Sequence, residues 1–474
     1  MLQTPASAAT LAPASAASAA WWAEARATLT LGWPIILTNV SMASIGATDV
    51  LMVGWLGPQE LAASSLGFNL AMLLTIFGMG LVNAGSPMMA SEIGRRPHSV
   101  RDIRRTFRQT LWLVAMLTIP LAALLWNTGT VLLWLGQDAR LAALAQDYIR
   151  AYLWSIPIFL VTMSLRNFLS VLERPRWSLV IGIIGVVGNI GFNYVLIFGK
   201  LGVPAFGIVG AGLGSVLTNL LMLALMIWVV SRDRQFRRYH LFGRWWRADW
   251  PRFRALTRLG LPIGTSLALE GGVFIAAVML MGWISVEAVA AHAVALQIAS
   301  LTFMVPMGLA QAATVRVGIG HGRQDADHIR RAGWVSFVLG TGFMAAMASL
   351  LWLFPEGLIG LFLDRTDPAN AQVAALAVSF LLVAAFFQIF DGAQVVGQGM
   401  LRGLHDTFVP MLFALLGYWI IGIGVGAWLA FDRGWGGVGI WTGLAIGLGI
   451  VAVLMLSRWL LRARLGLVAS KVDR

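Results

Sequence analysis

The sequence predicts an all-α integral membrane protein. Twelve transmembrane helices are expected, in two six-helix lobes related by a pseudo-two-fold axis along the membrane normal. Three observations predict this. First, the 474 residues are 58% hydrophobic and only 12% charged, with a mean hydropathy of +0.79, whereas an ordinary soluble chain carries about a quarter of its residues charged. Second, apolar runs of about 20 residues recur along the whole chain, each long enough for a helix to cross roughly 30 Å of hydrocarbon. Third, the first half of the sequence is echoed in the second.

The apolar windows fall near residues 31–54, 62–90, 108–130, 144–168, 177–199 and 207–230, then 257–282, 289–315, 333–355, 372–399, 408–431 and 437–461. A transmembrane β-barrel would show short alternating segments instead. The loops set the direction. The even-numbered ones are basic: "GRRPHSVRDIRRTFR" at 94–108, "ERPR" at 173–176, "SRDRQFRRYHLFGRWWRADWPRFR" at 231–254 and "HGRQDADHIRR" at 321–331. Arg402 follows the tenth span, and the C-terminus carries further arginines. The odd-numbered loops are short, sparse or acidic. The excess of Arg in alternate loops places both termini in the cytoplasm. It also accounts for the net charge of +13, so the expected partners include anionic lipid and exclude nucleic acid.

The expected organisation is a flexible cytoplasmic N-terminal tail (1–28), a first lobe (29–231), a basic cytoplasmic linker (232–254), a second lobe (255–462) and a cytoplasmic C-terminal tail (463–474). The Ala/Ser/Pro-rich start lacks the basic region and apolar core of a signal peptide. There is no cysteine, so disulfide and thiol chemistry are excluded.

The internal repeat is ordered. "LGWPI" from Leu31 returns as "LGLPI" from Leu259. At unchanged spacing Gly54-Trp55 meets Gly282-Trp283, Met79-Gly80-Leu81 meets Met307-Gly308-Leu309, and Gly94-Arg95 meets Gly322-Arg323. An even number of spans per half means that both halves enter the membrane from the same side. That is a transporter architecture, with a substrate path at the repeat interface. Pro34 and Pro262 hold matching places, where each removes a backbone hydrogen bond and bends a helix or starts one.

Three acidic residues lie deep in spans: Asp49, Glu270 and Asp391. Each charge at the bilayer centre costs about 2.5–3.5 kcal/mol on the insertion scale, so each must face a polar cavity, hold a cation or carry a proton. No deep lysine or arginine presents itself as a partner. The neighbours are polar. Ser41, Ser44 and Thr48 lie near Asp49; Asn189 and Asn193 share one helix face, and Ser215 and Thr218 add hydroxyls. Gln388, Gln394 and Gln398 flank Asp391 on one face. Oxygen donors of this kind suit a hard cation. The aromatics Phe386, Phe387 and Phe390 are candidates for lining a pocket for organic cations.

Enzyme motifs are absent. No phosphate-binding loop occurs, and the six histidines show no metal-ligand spacing. No enzymatic activity and no cofactor are expected. His292 reads as a packing residue.

"PIILTNVSMASIGATDVLMVGWLG", "RPRWSLVIGIIGVVGNIGFNYVLIFG", "LPIGTSLALEGGVF" and "DGAQVVGQGMLRGLHDT" together resemble the multidrug and toxic compound extrusion (MATE) family, in its NorM-like bacterial branch. The resemblance spans residues 31–462. It implies outward transport of cationic, amphiphilic drugs or toxins across a bacterial inner membrane in exchange for Na+ or H+, by alternating access of the two lobes. Asp49 would then be the acid of the first lobe, beside Asn189, Asn193 and Ser215. Glu270 and Asp391 would form a cation site in the second lobe, with Na+ as one candidate ion. Phe387 departs from the pattern, which has tyrosine there, and this leaves the choice between sodium and proton open. The alternatives are a lipid-linked oligosaccharide flippase of the same broader superfamily and a channel. An enclosed two-lobe carrier is expected to work as a monomer.

Overall fold

The structure is a computed structural model and describes residues 14–96, 99–243, 245–363 and 367–468. The first thirteen and last six residues of the expected tails lie outside the described residues. Membrane-length helices follow one another along the chain: α1 (Ala14–Gly54), α2 (Pro58–Arg95), α3 (Val100–Trp126), α4 (Ala139–Tyr152 and Ser155–Val171), α5 (Arg176–Phe198), α6 (Gly207–Arg232), α7 (Trp250–Gly282), α8 (Val286–Arg323), α9 (Ala326–Leu353), α10 (Ala371–Gly403), α11 (Phe408–Asp432) and α12 (Gly436–Leu460). Eleven are single candidates for spans. The two pieces of α4, bent by 42°, make the twelfth. No strand occurs among the described residues.

Helices α1–α6 form one lobe and α7–α12 the other. The cores of the first lobe gather Phe107, Phe168 and Met222 towards one end and Leu125, Tyr148 and Leu160 towards the other. The core of the second lobe is continuous, from Phe380 through Trp441 to Trp459. Because every helix crosses antiparallel to the last, the Arg-rich loops gather at one end, here called the basic end.

The lobes meet by symmetric contacts, and all the tight ones lie in the halves of α1, α2, α7 and α8 nearest the basic end. A methyl group on Gly32 would lie 3.1 Å from Leu309, and one on its repeat partner Gly260 would lie 2.9 Å from the carbonyl of Leu81, the partner of Leu309. A methyl on Gly94 would collide with the carbonyl of Ile319, and one on Gly322 with the carbonyl of Ser91. In each pair, residue i touches j′ while i′ touches j. That relation is the signature of a two-fold interface, so the sequence repeat is also the interface repeat. Leu81, Leu256, Leu259 and Ile263 seal the seam with a small core of their own.

One expectation needs correction. Residues 14–28 are helix, continuous with α1, and not a flexible tail. "ASAASAAWWAEARA" is rich in alanine, the strongest helix former, and Glu24 anchors it. The 232–254 linker is docked on the first lobe. Phe236, Tyr239 and Leu241 are buried, and Phe168 packs edge-on against Phe236 and Tyr239, at 6.2 and 5.3 Å. The prolines at 34 and 262 are internal to their helices, which excludes a helix-start role.

Candidate functional site

In the first lobe Asp49 is the focus of a preorganised hydrogen-bond set. Its Oδ1 accepts from Asn189 Nδ2 at 2.9 Å and Asn193 Nδ2 at 2.6 Å, and its Oδ2 accepts from Ser215 Oγ at 3.0 Å. Asn189 and Asn193 are one turn apart on α5 and fully buried, so a single helix face delivers both amides. The other oxygens of those amides are buried without a protein partner. Two amide NH2 groups and a hydroxyl thus converge as donors on one carboxylate, which is itself the group that takes a proton or a hard cation.

The remaining hydroxyls do not join this set. Ser41, Ser44 and Thr48 donate to the carbonyls of Leu37, Val40 and Ser44, and Thr218 donates to that of Gly214. Each bonds one turn back along its own helix, as hydroxyl residues do when buried in helices. The tyrosines Tyr148 and Tyr152, stacked at 5.5 Å, come within electrostatic range of Asp49 instead.

In the second lobe Glu270 on α7 and Asp391 on α10 lie within electrostatic range of each other. Neither accepts a side-chain hydrogen bond among the described residues. Tyr418, on the π-helical stretch Leu415–Ile423 of α11, comes within range of both. Its hydroxyl is buried and unpartnered. π-Helical segments inside α-helices occur frequently at functional sites. Gln388 donates to Thr302 Oγ1 at 2.7 Å, tying α10 to α8. The Gln394 amide is fully buried without a partner.

The expectation of no deep arginine is corrected. Helix α10 runs on to Gly403, so Arg402 belongs to its last turn and not to a loop. There it donates to Gln398 one turn earlier and comes within range of Glu270. Arg166 likewise sits inside α4 and donates to Asn39 at 3.1 Å.

The three phenylalanines separate. Phe387 is buried between Phe274 and Trp441, with ring centroids at 6.1 and 5.5 Å. Phe386 stacks edge-on against Trp352 and shares with Phe390 an exposed apolar groove between α10 and α12. His292 is buried against Trp441, as a packing role requires, yet neither ring nitrogen has a protein partner.

The basic end is held shut by polar contacts that cross the seam. Arg316 of α8 grips both carboxylate oxygens of Glu24 on α1, at 2.6 and 2.8 Å, and also reaches Glu173. Arg252 of α7 bonds Glu92 of α2 and Asp102 of α3. The segment after α10 is a hub: His405 Nε2 meets the Pro87 carbonyl of α2 at 3.0 Å, Asp406 pairs with Arg458 of α12, and Thr407 donates to the Leu259 carbonyl. Burial holds the His405 imidazole below its usual range, with Arg95 adding to the effect and the Pro87 carbonyl opposing it.

The MatE family model matches residues 34–195 and 262–428, once in each lobe. The chain belongs to the MatE family. It is therefore a multi-pass membrane transporter and not an enzyme. A "Probable multidrug resistance protein NorM" of Mesorhizobium japonicum is 53% identical over 445 residues, covering 94% of this chain and 95% of the relative. One of the same name from Brucella suis is 48% identical over 93% of each. Among solved structures, a variant of the Vibrio cholerae MATE transporter VcmN superposes with a TM-score of 0.84 at 17% identity, over 94% of this chain and 98% of that one. The eukaryotic MATE transporter AtDTX14 gives 0.80 at 20% identity, over 93% of this chain and 96% of that one. These neighbours share the fold of this MatE protein: twelve helices in two lobes.

Proposed function

We propose that this MatE protein is a secondary active antiporter that exports cationic amphiphilic compounds in exchange for Na+ or H+ across a bacterial inner membrane. The basic end faces the cytoplasm, as do both termini. The lobes correspond to residues 29–231 and 255–462, joined by 232–254, and the unit is a monomer. The observation that carries this reading is Asp49, a membrane carboxylate aligned by three donors and, among the described residues, without a cationic side-chain partner. Such a group exchanges a proton for a cation without rebuilding its surroundings. Glu270 and Asp391 add a second acidic site. Two like charges in range of each other favour a shared proton or cation between them.

Tight lobe contacts at the basic end support an outward-facing state, with the carboxylates reached from the opposite side. Exchange then follows from linkage: the ion and the compound shift the two lobe arrangements by their differential affinities. The names of the relatives support drug export. A flippase for lipid pyrophosphates would need free cations in its cavity, and Arg402 is committed to Gln398 and Glu270.

The test is ethidium transport by the purified protein in liposomes, under an imposed Na+ gradient and separately a proton gradient. Uphill movement under one gradient, abolished in Asp49→Asn and Asp391→Asn, establishes the antiport and names the ion. No movement under either gradient, with folding and orientation verified, overturns the proposal.

A further inference from the structure

We propose that a crevice in the lobe seam at the basic end binds the headgroup of an anionic phospholipid. The crevice holds about 1160 Å³ and is lined from both lobes, by α2 and α3 on one side and by α7 and α11 on the other. Five arginines at the crevice face four carboxylates, Asp102 among them through its pairs with Arg105 and Arg252. Glu92 is paired with Arg252, Asp249 with Arg105, and Asp406 with Arg458. Arg95 and Arg258 are exposed in the crevice and form no ion pair among the described residues. Arg95 comes within electrostatic range of Glu92, yet both guanidinium groups remain exposed and outside any ion pair among the described residues, and guanidinium matches phosphate in geometry as well as charge.

The rest of the lining selects a lipid as the source of that anion. Leu261, Phe408 and Met411 share the crevice. Leu261 is 50% exposed and Phe408 59%. Exposed Leu412 and Leu415 continue the apolar track up α11, away from the basic end. Trp245, Trp246 and Trp250 are exposed at the same end, as tryptophans are at the depth of lipid headgroups. A free phosphate would use the arginines and leave the apolar track bare; a phospholipid uses both. Basic pockets between membrane helices are suited to such headgroups. The inference stands independently of the coupling ion. Because Arg95 belongs to one lobe and Arg258 to the other, the bound lipid bridges the seam and favours the closed basic end.

The test uses the full chain in detergent. Native mass spectrometry and thermal unfolding are read after adding phosphatidylglycerol, phosphatidylcholine or glycerol phosphate. Phosphatidylglycerol alone is expected to form adducts and raise the unfolding temperature. Its affinity should fall roughly fivefold in each of Arg95→Gln and Arg258→Gln, and stay unchanged in Arg254→Gln, outside the crevice. Unfolding without lipid verifies that each variant is folded. Equal binding of phosphatidylcholine, the same shift with glycerol phosphate, or equal weakening in Arg254→Gln overturns the proposal.

Discussion

Replacing Asp49 in two different ways separates its structural role from its ionic one. In Asp49→Asn the side chain keeps its shape. The retained oxygen at the Oδ1 position still accepts from Asn189 and Asn193. The new NH2 faces Ser215, whose hydroxyl turns to accept. Three charge-assisted bonds become neutral ones, each weaker by roughly 1 kcal/mol, while the penalty for a charge in the membrane disappears. The net change in stability should stay within about 2 kcal/mol. In Asp49→Ala the same three donors lose their acceptor, at about 1–3 kcal/mol each, so a loss of about 3–9 kcal/mol is expected. Thermal unfolding in detergent should therefore rank wild type and Asp49→Asn together, with Asp49→Ala well below. Transport in liposomes should fall at least tenfold in both variants, because neither can exchange a proton for a cation. Gradient-driven ethidium transport at the wild-type rate in Asp49→Asn would falsify the assignment of the coupling role. Equal destabilisation in the two variants would show that charge, and not hydrogen-bond geometry, holds the site together.

Other perturbations test the seam and the second lobe. Gly94→Ala places a methyl against the Ile319 carbonyl; overpacking of this kind costs about 1–3 kcal/mol, and spin-label distances across the basic end should show the open population rising. Glu24→Gln leaves Arg316 gripping a neutral amide and should open the same end by a similar amount, while adding Arg316→Gln should recover part of the loss. His405 is held below its usual range when the seam is closed, so closure is favoured above the ordinary histidine value of about 6.5 and weakens as pH falls below it; the same distances, recorded from pH 8 to 5, should lengthen, and His405→Gln should reduce the change, with His321 at 5.3 Å from it and His328 beside Glu24 carrying the remainder. Tyr418→Phe removes a buried, unpartnered hydroxyl, so the fold should be unharmed or slightly stabilised; a fall in transport without a fall in unfolding temperature places that oxygen in the second-lobe site.

Why some of this was legible in the sequence and some was not has a physical explanation. Lipid imposes continuous apolar runs on every span, so helix count and order are readable to within a few residues. Asp49, Glu270 and Asp391 stand out because a charge there is costly, and Asn189 and Asn193 because four-residue spacing fixes a shared face. The serines and threonines of α1 and Thr218 mislead, since a hydroxyl in a helix has a carbonyl of its own within reach, and spacing cannot tell which acceptor wins. Arg402 is misplaced by one helical turn, enough to move it from a loop to the neighbourhood of Glu270. The tyrosines left a signal that periodicity ignores. The chain has only 5, against 24 Phe and 21 Trp, and Tyr148, Tyr152 and Tyr418 all lie in range of a deep carboxylate.

The repeat also shows where the two halves have stopped being alike. At the seam the correspondence is kept down to the contact: Gly32 and Gly260 approach Leu309 and Leu81, and Gly94 and Gly322 approach Ile319 and Ser91. Inside the lobes it is lost. At the spacing that pairs Leu31 with Leu259, Asp49 corresponds to Ala277, and Glu270 corresponds to Met42. A symmetric seam permits two lobes to rock about a shared axis with neither arrangement strained more than the other. Unequal interiors mean that an ion or compound bound in one lobe has no equivalent site in the other. In the proposed exchange each ligand then acts on the lobe equilibrium through its own differential affinity. A duplicated chain that had kept its carboxylates symmetric would bind the same ion twice. This one carries a single acid with amide and hydroxyl donors in its first lobe, and an acid pair with a tyrosine and an arginine in its second.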